Sequence, residues 1–555
     1  MKSTDRITYT MIITYQQKQI AIEQNDHVRG IDVVRKHFPE QKEQILCISC
    51  DTELQSLNNI ISSSISNCCF YDINDTLGAE CLAVSTTALM LMAAEGLFPD
   101  TRISVEHSFG KGFYCEPVKL KTLPDNYLDL LKTKMDEYVK ADHEFEERVI
   151  THDELNNIKL KRFNVLKNSP KDHLRIYDLC GFPHWFVSSL VPSAGYIKQF
   201  KITPYEKGFV LGFPTRTSPD MIPPFVSSPN LFRVIRESEE RGKMLDIRHI
   251  SDLNEHALEG RQMETIHLYE ALHEKKIAEI ADVITHRKKL RFIFIAGPSA
   301  SGKTTFMKRL SLQLRINGLK PKHISLDDYF VNREHTPQDD KGEFDYEHFD
   351  AIDHELLNRN LIDLMNGKGV HLPRFLFQEG KKEYQENETF LLNDEILILE
   401  GIHGLNPGLA SPIPDETKFR IYISALTQLN FNLYNRVSTS DTRLLRRMYR
   451  DSQFRGHSPE ETLLRWPSVR RGEARWIFPH QENADIYFNS ALEYEWPVFS
   501  GILLETLSSI PDTSPVKVEA ERLCRLMELF VPFTTELIPP TSLIQEFLGG
   551  SSFVY

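Results

Sequence analysis

The residues with the clearest chemical signature form one glycine-bearing segment, GPSASGKTT. It consists of Gly297, Pro298, Ser299, Ala300, Ser301, Gly302, Lys303, Thr304 and Thr305. This spacing fits G-x-x-x-x-G-K-[ST], in which glycines let the backbone curl so that successive N–H groups face phosphate oxygens. Lys303 is expected to reach the β- and γ-phosphates of a nucleotide, and the Thr304 hydroxyl to ligate Mg²⁺. The motif predicts a nucleotide-binding loop with Mg²⁺ as a cofactor. ATP is the expected nucleotide, and the preference for ATP over GTP is left open.

Acidic residues end two other strand-like segments. HISLDDYF places Asp327 and Asp328 at a strand end, and EILILEG does the same for Glu400. Ligand sites of α/β sheets form at this edge. There Asp327 can accept a proton from a hydroxyl group, and Glu400 can hold the hydration shell of Mg²⁺. An Asp at a strand end often only caps the following turn, but two acidic strand ends beside a phosphate loop favour catalysis.

A third segment, DTRLLRRMYRDSQFRG, is rich in arginine. Arg443, Arg447 and Arg450 are four and three residues apart, which places them on one helical face, and Arg455 follows in the next loop. Guanidinium groups in such a row can clamp the oxygens of a phosphoryl group in transfer. The alternative is an ordinary solvated face, which the neighbouring phosphate loop makes less favoured.

The elements that must position these residues read as an α/β fold. Between residues 289 and 511 the strand-like runs FIFIAG, HISLDD, EILILEG and FRIYIS alternate with helical segments, a pattern typical of a mostly parallel sheet. The phosphate motif follows the first of these strands directly and precedes the helical run FMKRLSLQL. This is the context that its mechanism requires.

Together these motifs resemble the uridine kinase and phosphoribulokinase family of P-loop kinases, over about 220 residues from Phe292 to Pro511. The resemblance implies that Asp327 is the general base, with Lys303 as its catalytic partner, and that Glu400 is linked to Mg²⁺. It also implies substrate contacts in EFDYEHFDAID, LPRFLF and the Arg-rich helix, at Phe344, Asp345, Phe375 and Arg447. Finally, it implies nucleotide contacts by the lid residues Arg450 and Arg455 and, near the adenine, by Asp485.

Some positions depart from the family pattern. His457 and Arg465 stand where uridine kinases carry a further lid arginine and a base-contacting glutamine. The family histidine that contacts the pyrimidine aligns poorly, near residues 378–380. Phosphoryl transfer is therefore expected, while the acceptor base is left open.

The N-terminal half resembles threonyl-tRNA synthetases. Residues 5–75 are similar to their small ubiquitin-like TGS domain, and residues 76–230 to their second, editing-type domain, through AAEGLFPD, HSFGKGFYCE and DLCGFPH. The family pairs an H-x-x-x-H helix with a C-x-x-x-H segment. Here Cys180 and His184 are present, but Val84 and Ala88 stand at the apparent helix positions, so neither a zinc site nor editing is expected.

The chain is accordingly predicted to have five parts, with two α+β domains before the kinase. These are a TGS-like module (1–75), a degenerate editing-type domain (76–230), a helical connector (231–288), a P-loop kinase domain (289–511) and a C-terminal helical tail (512–555). The charged stretch 127–171 is predicted to form a solvated helical pair. The pair Cys47-x-x-Cys50 is interpreted as structural, because no second C-x-x-C accompanies it.

Composition excludes several classes of protein. The chain has 555 residues and a formal net charge of -13, which gives no global attraction to nucleic acid or to anionic membranes. No segment is expected to cross a membrane, and eight cysteines are too few for a disulfide framework. A cytoplasmic protein is therefore expected. RNA binding by the N-terminal half is left open but not favoured, and self-association into a homo-oligomer is also left open.

The sequence thus predicts an ATP-dependent nucleoside kinase, most simply for uridine or cytidine, that phosphorylates the ribose 5′-hydroxyl. Two alternatives stay open. One is a kinase for another hydroxylated acceptor, and the other is an RNA-associated regulatory protein in which the phosphate loop acts as a switch. Asp327 and Asp345 favour the kinase, since a switch needs no acceptor site.

Overall fold

A computed structural model describes residues 9–24, 28–99, 101–118, 124–158, 160–339 and 342–554. The first segment is a small mixed sheet with one helix. Its strands lie in the order β2-β1-β7-β4-β5, with β1 and β7 parallel, and a separate pair joins β3 to β6. The elements are β1 (Tyr9–Tyr15), β2 (Lys18–Gln24), β3 (Val28–Arg29), α1 (Gly30–His37), β4 (Cys47–Cys50), β5 (Glu53–Gln55), β6 (Ile60–Ile61) and β7 (Asn67–Tyr71).

The second segment surrounds a long buried helix with two antiparallel sheets, β10-β11-β12 and β13-β14-β9-β8. Its elements are α2 (Thr76–Leu97), β8 (Ile103–Phe109), β9 (Gly112–Pro117), α3 (Tyr127–Lys140), β10 (Glu146–Thr151), α4 (His152–Asn157), β11 (His173–Leu179), β12 (Phe182–His184), β13 (Lys201–Tyr205) and β14 (Gly208–Gly212). The helical pair predicted over 127–171 is wrong at residues 146–151, although α3 and the short α4 are helical. EERVIT forms strand β10, because it pairs along its whole length with β11.

The helix α2 is the core of this segment. It is long and apolar enough to cross a membrane by length and composition, so the expectation that no segment qualifies is wrong on that criterion. However, 89% of its apolar window is buried inside the protein. Its side chains pack on β8, β9, α3 and β14 in one hydrophobic cluster.

The two cysteines of Cys47-x-x-Cys50 lie in different cores. Cys47 packs with Cys81 against α2, whereas Cys50 lies 3.5 Å from Cys68 in the core of the first sheet. Side chains three residues apart on a strand point to opposite faces. The pair therefore does not present two sulfurs to one ligand.

Three connecting helices follow: α5 (Pro229–Met244), α6 (Ile250–Leu258) and α7 (Gln262–Thr285). Isoleucines recur along α7 at spacings that place them on one helical face, and this apolar face is buried at Ile266, Ile277, Ile280 and Ile284. It packs on the helix that begins at the phosphate loop.

The third segment contains a five-stranded, wholly parallel sheet in the order β16-β19-β15-β20-β21. Its elements are β15 (Phe292–Ala296), α8 (Lys303–Ile316), β16 (Lys320–Ser325), α9 (His354–Met365), β17 (Pro373–Leu376), β18 (Lys381–Tyr384), β19 (Glu395–Glu400), β20 (Lys418–Ser424), α10 (Thr439–Phe454), α11 (Pro459–Trp476), β21 (Ile486–Asn489) and α12 (Glu495–Ser508). Every residue of the central strand β15 is buried, which fits a parallel strand covered on both faces. The predicted parallel α/β sheet is confirmed.

The chain closes with α13 (Lys517–Met527) and the short α14 (Gln545–Leu548). Gly549 and Gly550 end α14 with positive φ angles of 85° and 83°. The side chains of Leu543, Ile544 and Phe547 are completely buried against the third segment. The C-terminal tail is therefore part of the same packed body as the parallel sheet.

The second segment also contacts the third directly, through the loop after β20. Val105 N donates to Leu433 O at 2.8 Å, and Val187 N donates to Asn435 Oδ1 at 3.1 Å. Asn435 Nδ2 in turn donates to Trp185 O at 2.7 Å. Backbone and amide hydrogen bonds thus join the two halves.

A buried carboxyl group near this junction predicts a pH-dependent stability. Burial raises the pKa of Glu493 to about 7, although its carboxylate accepts hydrogen bonds from the N–H groups of Gln428 and Leu429 at 3.2 Å. Between the ordinary value of 4.5 and about 7, the folded state holds a proton that the unfolded state has lost. The free energy of unfolding therefore falls as pH rises through this window, by up to about 3 kcal/mol.

We expect Glu493→Gln to remove this loss. The variant should melt a few degrees higher than the wild type at pH 8 and show little difference at pH 4.5, measured by thermal unfolding at both values. Glu505→Gln, at an exposed position of α12, is the matched control. An identical pH dependence in wild type and Glu493→Gln would contradict the assignment.

Candidate active site

The phosphate loop connects β15 to α8 and depends on two glycines. A Cβ atom at Gly297 would lie 2.0 Å from Ile423 O on the neighbouring strand. Gly302, directly before α8, has a φ of +83°, in the left-handed region that favours glycine. The loop therefore needs glycine at both motif positions, and it brings the N-terminus of α8 to the carboxyl edge of the sheet.

Lys303 lies at the centre of this edge. Its ammonium group donates to Gly297 O at 3.1 Å and to Pro298 O at 3.2 Å, so the loop's own carbonyl groups hold it. Burial lowers the pKa of Lys303, while the carboxylates of Glu400 and Asp327 act in the opposite direction. The structure thus brings the loop lysine and both predicted carboxylates together.

The parallel register explains this convergence. Ser325 pairs with Glu400, and Glu400 pairs with Ile295, so β16, β19 and β15 end side by side. Asp327 follows in a short 3₁₀ turn that the Ser325 hydroxyl caps by accepting from Asp327 N at 3.3 Å. Burial raises the pKa of Asp327, and burial also raises the pKa of Glu400 to about 7.

The donor set at this edge suits a hard divalent cation. Thr304 offers a hydroxyl oxygen, and Asp327 and Glu400 offer carboxylate oxygens, which are the ligand types that Mg²⁺ prefers. The pKa of Glu400 is raised by its burial and further by the negative charge of Asp327. A cation bound between these groups would offset that charge, so the residues present fit the ion.

Three arginines of the α10 region gather around one buried acid, Asp451. Arg447 Nε donates to Asp451 Oδ2 at 3.2 Å, and Arg450 Nη2 donates to Asp451 Oδ1 at 3.1 Å. Arg455 Nε lies 3.7 Å from the same carboxylate. Arg447 also donates to Ser299 Oγ of the phosphate loop at 3.0 Å. The positive charges of Arg450 and Arg455 lower the pKa of Asp327, which places both near the catalytic edge.

The expectation that Arg443 faces the phosphoryl group together with Arg447 and Arg450 is wrong. Arg443 is only 1% exposed, and it donates to Ser299 O at 2.9 Å while pairing with the buried Glu473. Its pKa is lowered by burial. Arg443 therefore supports the phosphate loop from inside the protein, because α10 turns this part of its arginine face toward the loop backbone.

The predicted acceptor residues belong to segments that follow Asp327 in the chain. Asp345 Oδ1 accepts from Glu347 N at 3.1 Å, and Phe344 is exposed at 43%. Phe375 is buried against Phe330 and Phe377, with ring centroids 5.7 and 5.1 Å away. The backbone N–H of Phe375 donates to Asp328 Oδ1 at 3.3 Å, so Asp328 holds β17 in place.

Glu347 connects the acceptor side with the arginines. Burial raises the pKa of Glu347, Arg447 lowers it, and both Asp345 and Asp327 raise it. Its side chain also packs where a Cβ at Gly472 would stand. The charges of Asp345, Arg447 and Asp327 therefore all act on this one buried carboxyl group.

Asp485 is not brought to this cluster. It precedes β21, where its carboxylate accepts from Arg287 Nη1 at 3.0 Å and from Arg420 N at 2.8 Å. In register it stands beside Arg420, four positions before the end of β20 at Ser424. The adenine contact implied for Asp485 stays a prediction.

In the second segment, Cys180 and His184 have different surroundings. His184 is buried and bonds Glu95 Oε2 at 2.9 Å and Arg162 Nη1 at 3.0 Å. Cys180 lies at the turn between β11 and β12, with a φ of 54°, and is exposed. His184 is thus engaged in a buried network of protein side chains.

Four further acidic residues belong to the site, and no spacing motif marks them. They are Glu347, Asp451, Glu473 and Glu546. Asp451 within the arginine-rich segment, and Glu347 within EFDYEHFDAID, could have been suspected from their neighbours.

A parallel sheet with a phosphate loop after its central strand, and carboxylates at the ends of the neighbouring strands, is the arrangement of a P-loop nucleotide-binding protein. The model of the "Phosphoribulokinase / Uridine kinase family" matches residues 292–495, and the chain belongs to this family through that region. The protein is therefore a P-loop phosphotransferase with a hydroxyl acceptor.

Relatives that are uridine kinases match about a third of this chain. A uridine kinase of Macrococcus caseolyticus is 31% identical over 199 residues, which are 36% of this chain and 87% of the relative. A uridine kinase of Staphylococcus aureus is 30% identical over 200 residues, with the same coverage. Among solved structures, a "possible uridine kinase" of Bacillus stearothermophilus aligns with 39% of this chain and 97% of its own, at 18% identity and a TM-score of 0.27.

Proposed function

We propose that the protein is a nucleoside kinase that transfers the γ-phosphoryl group of ATP to the 5′-hydroxyl of a ribonucleoside, most simply uridine or cytidine. The observation that carries this proposal is the parallel register that ends β15, β16 and β19 side by side, which brings Asp327 and Glu400 to the edge where Lys303 and the phosphate loop lie. Uridine kinases among the relatives support the nucleoside as acceptor.

In the proposed reaction, the N–H groups of the loop and the Lys303 ammonium bind the β- and γ-phosphates of ATP. Asp327 accepts the proton of the acceptor hydroxyl as its oxygen forms a bond to the γ-phosphorus. The bond between that phosphorus and the β,γ-bridging oxygen breaks, and ADP leaves with the electron pair. The pKa of Asp327, raised by burial, lies nearer to neutral pH than that of an ordinary aspartate, which favours proton transfer.

Thr304 and Glu400 are the residues proposed to hold Mg²⁺, with Glu400 acting on its hydration shell. When bound, the ion neutralises charge on the phosphate oxygens. Arg450 and Arg455 are proposed to close on the phosphates, since their charges already act on Asp327.

Asp345 is proposed to bind the ribose hydroxyls, with Phe344 beside it. Phe375 is proposed to pack against the acceptor base, and Arg447 to contact the acceptor. The aromatic cluster of Phe330, Phe375 and Phe377 supports this, because an apolar wall favours a planar ring. His457 and Arg465 stand where uridine kinases carry a further lid arginine and a base-contacting glutamine, and their side chains lie 3.2 Å apart. The identity of the acceptor base is therefore left to the acceptor panel.

We propose further that the first 230 residues comprise a TGS-like module and an editing-type domain that has lost its chemistry. The small α+β sheet of β1 to β7 supports the first assignment. Engagement of His184 by Glu95 and Arg162 supports the loss of a ligand site. The connector, kinase and tail boundaries at 231–288, 289–511 and 512–555 belong to the same proposal.

An acceptor panel tests the kinase function. Purified full-length protein is incubated with ATP, Mg²⁺ and single nucleosides or sugars, and ADP release is followed. We expect a ribonucleoside to raise ADP release well above the rate without acceptor. A sugar as the sole stimulating acceptor would replace the nucleoside assignment, and no stimulation by any acceptor would overturn the kinase function.

A further inference from the structure

Residues 542–550, which we call the C-terminal strap, contact the first turn of α8 at the end of the phosphate loop. Glu546 Oε2 accepts a hydrogen bond from Thr305 N at 3.0 Å and from Thr305 Oγ1 at 2.7 Å. Both donors belong to the first turn of α8, at the end of the phosphate-binding motif.

These two donors are of the kind that a nucleotide phosphate needs. A backbone N–H at the start of a helix, with a hydroxyl beside it, is a ready-made anion site next to a P-loop. The Glu546 carboxylate supplies an anionic oxygen at this place. The negative charge of Glu546 also raises the pKa of Lys303, against the effect of burial, and it raises the pKa of Glu400 further.

The rest of the strap is built into the protein. Leu543 packs against Gly302, where a Cβ atom would lie 2.3 Å from Leu543 Cδ2. The Phe547 ring lies 5.2 Å from the Arg446 guanidinium and 6.0 Å from that of Arg450. Ser542 Oγ donates to the carboxylate of Glu270 at 2.5 Å. The strap therefore holds Glu546 at the loop and also touches a lid arginine.

We propose that the strap is an autoinhibitory element, in which the Glu546 carboxylate occupies a phosphate position of the nucleotide site and must be displaced before ATP binds. This inference rests on the proposed function, because the loop must bind a nucleoside triphosphate. Two anionic groups cannot share the Thr305 donors. ATP therefore binds only the fraction of molecules in which Glu546 is withdrawn, which lowers its apparent affinity by that fraction.

Displacement does not require the strap to unfold. Leu543, Ile544 and Phe547 are completely buried, whereas Glu546 reaches the loop by a flexible side chain. Rotation of this side chain breaks both bonds to Thr305 and leaves the apolar contacts in place. Because Phe547 lies beneath Arg450, a signal that moves the strap would reach both the phosphate site and the lid.

The test is equilibrium binding of ATP to the full-length protein, by calorimetry, for wild type, Glu546→Gln and Glu536→Gln. Glu546→Gln keeps the size of the side chain but removes the charge, and it should bind ATP about tenfold more tightly than wild type. Glu536→Gln changes an exposed acid of the same tail and should leave the affinity unchanged. These variants are preferred to deletion of the strap, which would remove three buried apolar side chains.

A second variant separates the carboxylate from the rest of the strap. Glu546→Ala removes both the charge and the acceptor oxygen and leaves the buried side chains of the strap in place, so it should bind ATP at least as tightly as Glu546→Gln. Equal or weaker ATP affinity of both variants compared with the wild type overturns the autoinhibition while the nucleotide site stands. Absence of ATP binding in both wild type and Glu546→Gln overturns the proposed function and this inference together.

Discussion

Replacing Asp327 with alanine is expected to lower kcat by about 10³- to 10⁴-fold and to change ATP affinity less than about threefold. The reason is its proposed role as the base, in the turn after β16, while Lys303 and the loop are proposed to hold the nucleotide. Loss of a general base affects the transfer step, whereas the phosphate contacts belong to other residues. Turnover is measured by ADP release and affinity by calorimetry.

Two matched variants sharpen this prediction. Asp327→Asn keeps the shape of the side chain without a basic carboxylate, and it should be as inactive as Asp327→Ala. Asp328→Asn removes the neighbouring charge but keeps an oxygen that can accept from Phe375 N, so it should retain activity within a few-fold. If Asp327→Ala loses ATP binding to the same extent as turnover, Asp327 is a binding residue and not the base.

Replacing Lys303 with alanine is expected to weaken ATP binding by about 100-fold or more. The ammonium lies within the loop, held by Gly297 O and Pro298 O, and its hydrogen bonds to phosphate are charge-assisted, each worth about 1.5 to 3 kcal/mol. ATP affinity from calorimetry checks this result.

Lys303→Met retains the apolar stem of the side chain and should show the same loss, which separates the charge from packing. Lys320→Ala removes an exposed lysine at the start of β16 and serves as the control for net charge. ATP binding that is unchanged in Lys303→Met would contradict the assignment of the loop.

The sheet and its catalytic edge could be predicted from local patterns. β15, β19 and β20 are short apolar runs, and the phosphate motif fixes the direction of the strand before it. Once the strands are parallel, Asp327 and Glu400 must lie at the same edge as Lys303, because their strands end in register. The convergence of these residues therefore follows from the sequence.

What could not be predicted depends on contacts between distant parts of the chain. Glu473 reaches Ser299 N across 174 residues, and Glu546 reaches Thr305 across 241. No periodicity records such contacts, and both acids stand in ordinary helical contexts. The same holds for Arg443. Its spacing places it on the same helical face as Arg447, but its side chain is buried against the phosphate loop. The predicted helix is wrong at β10, because only its pairing with β11 makes this segment a strand.

Identification of the product decides whether the protein transfers a phosphoryl group from ATP to the 5′-hydroxyl of a nucleoside. Wild-type protein is incubated with ATP, Mg²⁺ and uridine or cytidine, and the products are separated and assigned by mass and ³¹P NMR. We expect a nucleoside 5′-monophosphate formed in equal amount to ADP and absent with Asp327→Ala. ADP formed without a phosphorylated nucleoside, at a rate that no nucleoside alters, would contradict this transfer.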